Sequence, residues 1–276
     1  MVRGLRRACV AAAVALVLVT GATGSSVPLR GTLQERSFQS NALRGSIGFD
    51  VYLPPGYSST RTRYPVVYFL HGLPANADSY RANAWIADAL ARTGQAILVL
   101  PQGARSGDRD PEYLNWGAGR NWETYIAKEL PRYIDAHYRT IRARSGRAIM
   151  GLSAGGYGAT IVGLHHPGTF SVIESWSGYF HPTDPTGTRP LAREPATSAH
   201  TLTSIVRRSP TYFAFYVGRG DTRFLAENEQ LDRELSVDHV PHVFEIYRGA
   251  HESSLWQTHA VTWLRLALRH LAPATR

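Results

Sequence analysis

The stretch RAIMGLSAGGYGATIVGLHHPG, residues 147–168, leaves the rest of the chain the fewest options. RAIM reads as a β-strand. Ala154, Tyr157, Ile161 and Leu164 follow with helical spacing. Between them lies Gly151-Leu152-Ser153-Ala154-Gly155, a G-x-S-x-G string. A strand that enters a helix through so few residues must turn sharply. The two glycines flanking the serine give room where backbone meets backbone. Such a turn strains the serine and projects its hydroxyl above the sheet. The turn therefore demands a sheet strand on one side and a helix packed on the sheet on the other.

Strand-like and helix-like segments alternate along most of the chain. FDVYLP (49–54), YPVVYFLHG (64–72), AILVLP (96–101), FSVIESWSG (170–178), TYFAFYVG (211–218) and HVFEIY (242–247) read as strands. Residues 78–94, 121–139, 154–165, 221–237 and 253–271 read as helices, with Pro131 expected to kink the second. Polar, Gly- and Pro-rich loops are expected over 102–119 and 179–199. The pattern predicts an α/β fold with a mainly parallel central sheet and helices on both faces. Functional side chains should then gather beyond the carboxyl ends of the strands.

A serine hydroxyl is a weak nucleophile at neutral pH and needs a base held by an acid. In a sheet of this kind the chain order is serine, acid, histidine. Among the histidines after Ser153, His165 and His166 close the nucleophile's own helix. His259 and His270 fall on the last helix, and His242 begins a strand. His181, His200 and His239 have no such placement at a strand end. His251, in YRGAHESSLW, follows a strand and precedes a helix. Asp221, in YVGRGD, stands three residues past the strand-ending Gly218 and could also cap the next helix. Asp184, Asp232 and Glu245 are less well placed. Oxyanion donors are expected from the backbone N–H groups of Leu73 and Ala154. Trp116, Tyr179 and Trp256, with Tyr113, Trp176 and Phe180, are candidate pocket aromatics. Core filling is the competing reading for Trp116 and Trp176.

Residues 1–24 combine Arg3, Arg6 and Arg7 with an apolar run over 8–19 and a small-residue stretch. This is the layout of a secretory signal peptide, and the apolar run is short of the roughly 20 residues a membrane span needs. One domain is expected over 25–276, exported and either released or wall-associated. Cys9 is the only cysteine and lies within the first 24 residues, so no disulfide or thiolate chemistry is expected beyond them. The formal charge is +9, of which the first 24 residues supply three positive charges. The arginines are scattered and not interleaved with aromatics, which argues against nucleic acid. No metal-ligand spacing, P-loop or dinucleotide fingerprint occurs, so neither metal nor cofactor is expected.

YPVVYFLHG, YLNW (113–116), NWETYIAKELPRYIDAHY, GLSAGGYGA, SWSG (175–178), VGRGD and GAHESSLW together resemble the esterase D-like branch of the α/β-hydrolase superfamily. That branch includes S-formylglutathione hydrolases, feruloyl and acetyl-xylan esterases and the antigen 85 mycolyltransferases. The resemblance covers roughly residues 49–271. It implies the α/β-hydrolase fold and a serine carboxylesterase with Ser153 as nucleophile, Asp221 as acid and His251 as base. Leu73 and Ala154 would form the oxyanion hole. The substrate would be a small-molecule or carbohydrate-linked ester. An acyltransferase with the same triad and a non-catalytic cell-surface binding protein are the two alternatives.

Overall fold

The computed structural model describes residues 31–108, 111–180 and 211–276. The first 24 residues, most of the loop 179–199, and His181, Asp184 and His200 lie outside the described residues. The strands are β1 (Thr32–Ser40), β2 (Gly45–Leu53), β3 (Val66–Leu70), β4 (Ile97–Pro101), β5 (Arg147–Leu152), β6 (Val172–Trp176), β7 (Tyr212–Gly218) and β8 (Val243–Tyr247). They form one sheet in the order β1-β2-β4-β3-β5-β6-β7-β8. Every neighbouring pair from β4 to β8 is parallel, while β1 and β2 pair antiparallel and β2 runs antiparallel to β4. This is the α/β-hydrolase fold.

Continuous apolar runs make the central strands because both faces of the sheet are covered. Val66, Tyr68 and Leu70 of β3 enter one core cluster, and Val67 and Phe69 enter the other. The helices are α1 (Trp85–Ala91), α2 (Trp122–Thr124), α3 (Leu130–His137), α4 (Ala154–His165), α5 (Leu225–Val237) and α6 (Ser253–Arg269). Residues of α2, α3, α4 and α5 join the first cluster. Residues of α1 and α6 join the second, among them Leu90, Trp263 and Leu264. Glu174 is a fully buried acid in β6. Burial pushes its carboxyl well above the usual range, and Trp176 Nε1 donates to its Oε2 at 3.1 Å.

Three differences from the sequence expectations have physical causes. Strand β1 and the first half of β2 carried no expectation. β1 is an edge strand with the polar sequence TLQERSFQS, and most of its residues are exposed or half-buried, so burial leaves no apolar alternation to see. Its hairpin turn is held by Glu129, whose two carboxylate oxygens accept from Ser40 Oγ (2.5 Å) and Ala42 N–H (3.0 Å). The expected kink at Pro131 is instead a π-helical segment, Tyr125–Glu129, directly before it. Leu130 N–H donates to Tyr125 O, five residues back, and Thr169 Oγ1 donates to Ala127 O (3.4 Å), the carbonyl a proline at 131 cannot serve. The helix expected over 78–94 begins as a 3₁₀ turn, Ser79–Asn83, and only Trp85–Ala91 is α-helical.

Helix α4 is buried around its whole circumference from Ala154 to Leu164. A Cβ at Gly155 would lie 2.1 Å from Leu70 O, and one at Gly151 would lie 2.3 Å from Gly155 O. Those contacts are backbone to backbone, so no side-chain rotation relieves them. Gly155→Ala is expected to cost about 3 kcal/mol or more. The check is the midpoint of chemical denaturation, against Ala159→Gly in the same helix, which should cost about 1 kcal/mol.

Candidate active site

Ser153 joins β5 to α4 with φ 53° and ψ −124°, a left-handed conformation that a non-glycine residue adopts only under constraint. Its N–H donates to Trp176 O (2.9 Å), and its carbonyl accepts from Gly156 N–H (2.8 Å) and Tyr157 N–H (3.1 Å). The turn is thus tied to β6 on one side and to the first turn of α4 on the other. The Ser153 residue is 8% exposed, so its hydroxyl faces a largely dry environment.

Three loops at the carboxyl ends of β5, β7 and β8 bring Ser153, Asp221 and His251 together. Ser153 Oγ–H donates to His251 Nε2 at 2.9 Å. His251 Nδ1–H donates to Asp221 Oδ2 at 2.6 Å. Asp221 is 1% exposed, and its second oxygen accepts from the N–H groups of Arg223 and Phe224, both at 3.3 Å. The expected capping role is therefore present in altered form. Asp221 closes a turn ahead of α5, which starts at Leu225 rather than at Asp221. One carboxylate oxygen orients the turn while the other orients the imidazole.

Aromatic rings flank His251. Phe224 and Trp256 each approach with ring centroids 5.1 Å from the imidazole, edge to face. Trp256 is anchored by its Nε1–H, which donates to Ser177 Oγ at 3.1 Å. Tyr179 stacks on Tyr157 (5.2 Å, 8°) and contacts Phe224 (5.0 Å), and its hydroxyl donates to the buried Glu112 carboxylate. Buried Asn228 donates from Nδ2 to Gly178 O and Phe224 O, both at 2.8 Å, and so links the loops after β6 and β7. Trp116 is not among these rings. Its Nε1–H donates to Pro111 O (2.8 Å) and braces its own loop. Trp176 is fully buried in the core.

Leu73 follows β3, and a Cβ on the neighbouring Gly72 would lie 3.0 Å from Ser153 Cβ. Ala154 N–H belongs to the first turn of α4, where no intrahelical acceptor is in reach. The loop carrying Leu73 is held by His71, which is 3% exposed. Its Nε2 accepts Gly103 N–H (3.0 Å), so the hydrogen sits on Nδ1, which donates to Gly72 O (2.9 Å). Tyr113 OH donates to His71 O (2.7 Å) from a backbone with φ 57°, next to Glu112 with φ 52°. Burial lowers the His71 pKa from 6.5 to about 4, partly offset by the bond to Gly72 O.

Among the described residues no cluster of three or more histidine, cysteine or acidic side chains could hold a metal ion. No helix among them is long and apolar enough to cross a membrane. His165 and His166, expected only to close α4, both contact Glu123 Oε1 (3.3 and 2.8 Å) and tie α4 to α2.

The family model described as "Putative esterase" matches residues 40–265, a span that includes Ser153, Asp221 and His251. The chain belongs to this esterase family. Two Mycobacterium tuberculosis proteins, Esterase MT1326 (strain CDC 1551 / Oshkosh) and Esterase Rv1288 (strain H37Rv), are each 32% identical over 142 residues. The match covers 51% of this chain and 31% of theirs, so it spans about a third of those proteins. A solved ferulic acid esterase superposes with a TM-score of 0.72 at 23% identity, covering 88% of this chain and all of that one. The S-formylglutathione hydrolase of Staphylococcus aureus gives 0.70 at 20% identity over 86% of this chain and 99% of that one.

Sequence reasoning named Ser153, Asp221 and His251, but not the groups that hold them. Phe224, Asn228 and Glu112 carry no motif, and Ser177 lies within SWSG without its role being legible there; the roles of all four follow from contacts between distant loops. His71 had a visible signal, its position at the end of the β3 apolar run. Its neutral form is favoured in the folded state, so its contribution is fully present above pH 6.5 and is lost as pH falls from 6.5 to about 4. Stability should drop by about 3 kcal/mol across that window. Urea denaturation at a series of pH values should show the slope, and His71→Gln should flatten it.

Proposed function

We propose that this chain is an exported serine carboxylesterase that works through an acyl-enzyme. The hydrogen-bonded series from Ser153 Oγ through His251 to Asp221, at the carboxyl edge of the sheet, carries this reading. Ser153 Oγ attacks the ester carbonyl carbon as its proton passes to His251 Nε2. A C–O bond forms and the carbonyl oxygen becomes an oxyanion. The N–H groups of Leu73 and Ala154 receive that charge. Asp221 holds the imidazole in the required tautomer and stabilises the imidazolium. The tetrahedral intermediate collapses, the alcohol leaves with the proton from His251, and Ser153 remains acylated. Water, deprotonated by His251, attacks the acyl carbon, releasing the acid and restoring the serine. The aromatic wall of Tyr179, Phe224 and Trp256 suits an acyl or aryl group, and the substrate is a small-molecule or carbohydrate-linked ester. The charged start and apolar run of residues 1–24 support export.

Turnover of p-nitrophenyl acetate tests the assignment. Ser153→Ala should lower kcat by about 10⁵-fold or more. Asp221→Asn should lower it by about 10⁴-fold, because the imidazole tautomer is no longer held. Both variants should keep the wild-type circular dichroism spectrum. Substantial activity in Ser153→Ala would remove Ser153 as nucleophile. With sugar alcohols added as acceptors, free acid is the expected main product; predominant transfer would replace hydrolysis by acyl transfer.

A further inference from the structure

A second concave site lies at the opposite end of the sheet. The strands from β4 to β8 run parallel, so their amino ends are remote from the rim that holds Ser153. A cleft of about 450 Å³ opens there, bounded by Pro65 before β3, Gln95 before β4, the last turns of α6 and the tail after it. The tail is fixed in place. Ala272 N–H donates to Ser145 O (2.8 Å), and Arg63 and Thr275 exchange two backbone hydrogen bonds (2.7 and 2.9 Å). The cleft is therefore a built feature and not a gap beside a loose end.

Its lining is one-sided in charge. Arg265 and Arg269 are exposed and stand one helical turn apart, about 6 Å along α6. Neither forms an ion pair among the described residues, and no acidic side chain lines the cleft. Arg265 reaches over to Arg92 O (3.3 Å), so a third arginine, at the end of α1, adjoins the same end of the molecule. Arginines far apart in the sequence collect here because helices α1 and α6 both end at the amino edge of the sheet. Cations at helix carboxyl ends are also favoured by the helix dipole.

We propose that this cleft docks an acidic polysaccharide, with uronate carboxylates on Arg265 and Arg269. Guanidinium forks pair with carboxylates through two parallel hydrogen bonds. The remaining wall, Pro65, Leu268, Pro273 and Ala274, is aliphatic and suits the C–H face of a sugar ring. Among the described lining residues no aromatic offers a stacking platform, which disfavours single-stranded nucleic acid. The volume is that of a site for a small ligand, enough for a short run of sugar units. A polymer held at this end leaves the rim with Ser153 open. The docking is independent of the reaction at Ser153 and stands or falls separately from it.

Affinity for polygalacturonate, measured with the full chain at low and at physiological salt, tests the proposal. Binding should weaken with salt, as expected for exposed charges. Arg265→Gln/Arg269→Gln should lose about tenfold or more in affinity and hydrolyse p-nitrophenyl acetate within twofold of wild type. Arg120→Gln/Arg233→Gln removes the same charge elsewhere and should change affinity less than twofold. Equal loss in both double variants would reduce the effect to net charge and overturn the site. Polyphosphate or anionic vesicles binding as tightly as polygalacturonate would overturn the choice of a sugar polymer. Failure to bind polygalacturonate at low salt would also overturn the proposal.

Discussion

The contact of Gly155 with the backbone of β3 is the constraint on which the site rests. Leu70 O lies where a side chain on residue 155 would begin, and Gly155 O lies where one on residue 151 would begin. Helix α4 can therefore start directly over the sheet. Ser153 makes the turn in a left-handed conformation. The hydroxyl then meets His251, and the loop after β3 passes beside the serine. One steric condition thus places Ser153 and the first turn of α4 at the carboxyl edge of the sheet.

Asp221 and His251 are supported by contacts between loops that lie far apart in the sequence. Asp221 is dry and divides its oxygens between a turn and an imidazole. His251 lies against Phe224 from the acid's own loop and Trp256 from α6, and Trp256 is pinned to Ser177. Asn228 joins the loops after β6 and β7. Rings restrict the imidazole by shape while hydrogen bonds restrict it by direction. In the proposed reaction, preorganisation of this kind would let charge develop in the transition state without rearranging the surroundings. The consecutive left-handed residues Glu112 and Tyr113 fit the same pattern. Their strain is held by hydrogen bonds to Tyr179 and His71, which position the walls of the site.

The inner parallel strands were legible because they are buried on both faces and so spell short apolar runs, as in VVYFL and ILVLP. Edge strand β1 was not, since one side meets water and its pairing with β2 is written in backbone hydrogen bonds that no side-chain pattern records. Pro131 signalled a break, but its form depended on Tyr125 O and Thr169, one local and one remote. The aromatics divided in the same way. Trp256 and Tyr179 carry contacts that reach His251 or its neighbour, whereas Trp116 braces its own loop.

By itself the sequence determined the alternation of strands and helices, the sharp turn at Ser153, and the order in which acid and histidine follow it. Those are local facts, since period, glycine spacing and distance from a strand end all act within a few residues. Only the tertiary structure decided that His251 meets both Ser153 and Asp221, that His71 stays neutral beneath the β3 loop, and that scattered arginines share the amino edge of the sheet. These depend on strand order and direction, which bring His251 to Ser153 across 98 positions and Arg265 to Arg92 across 173. No short-range pattern encodes such a distance.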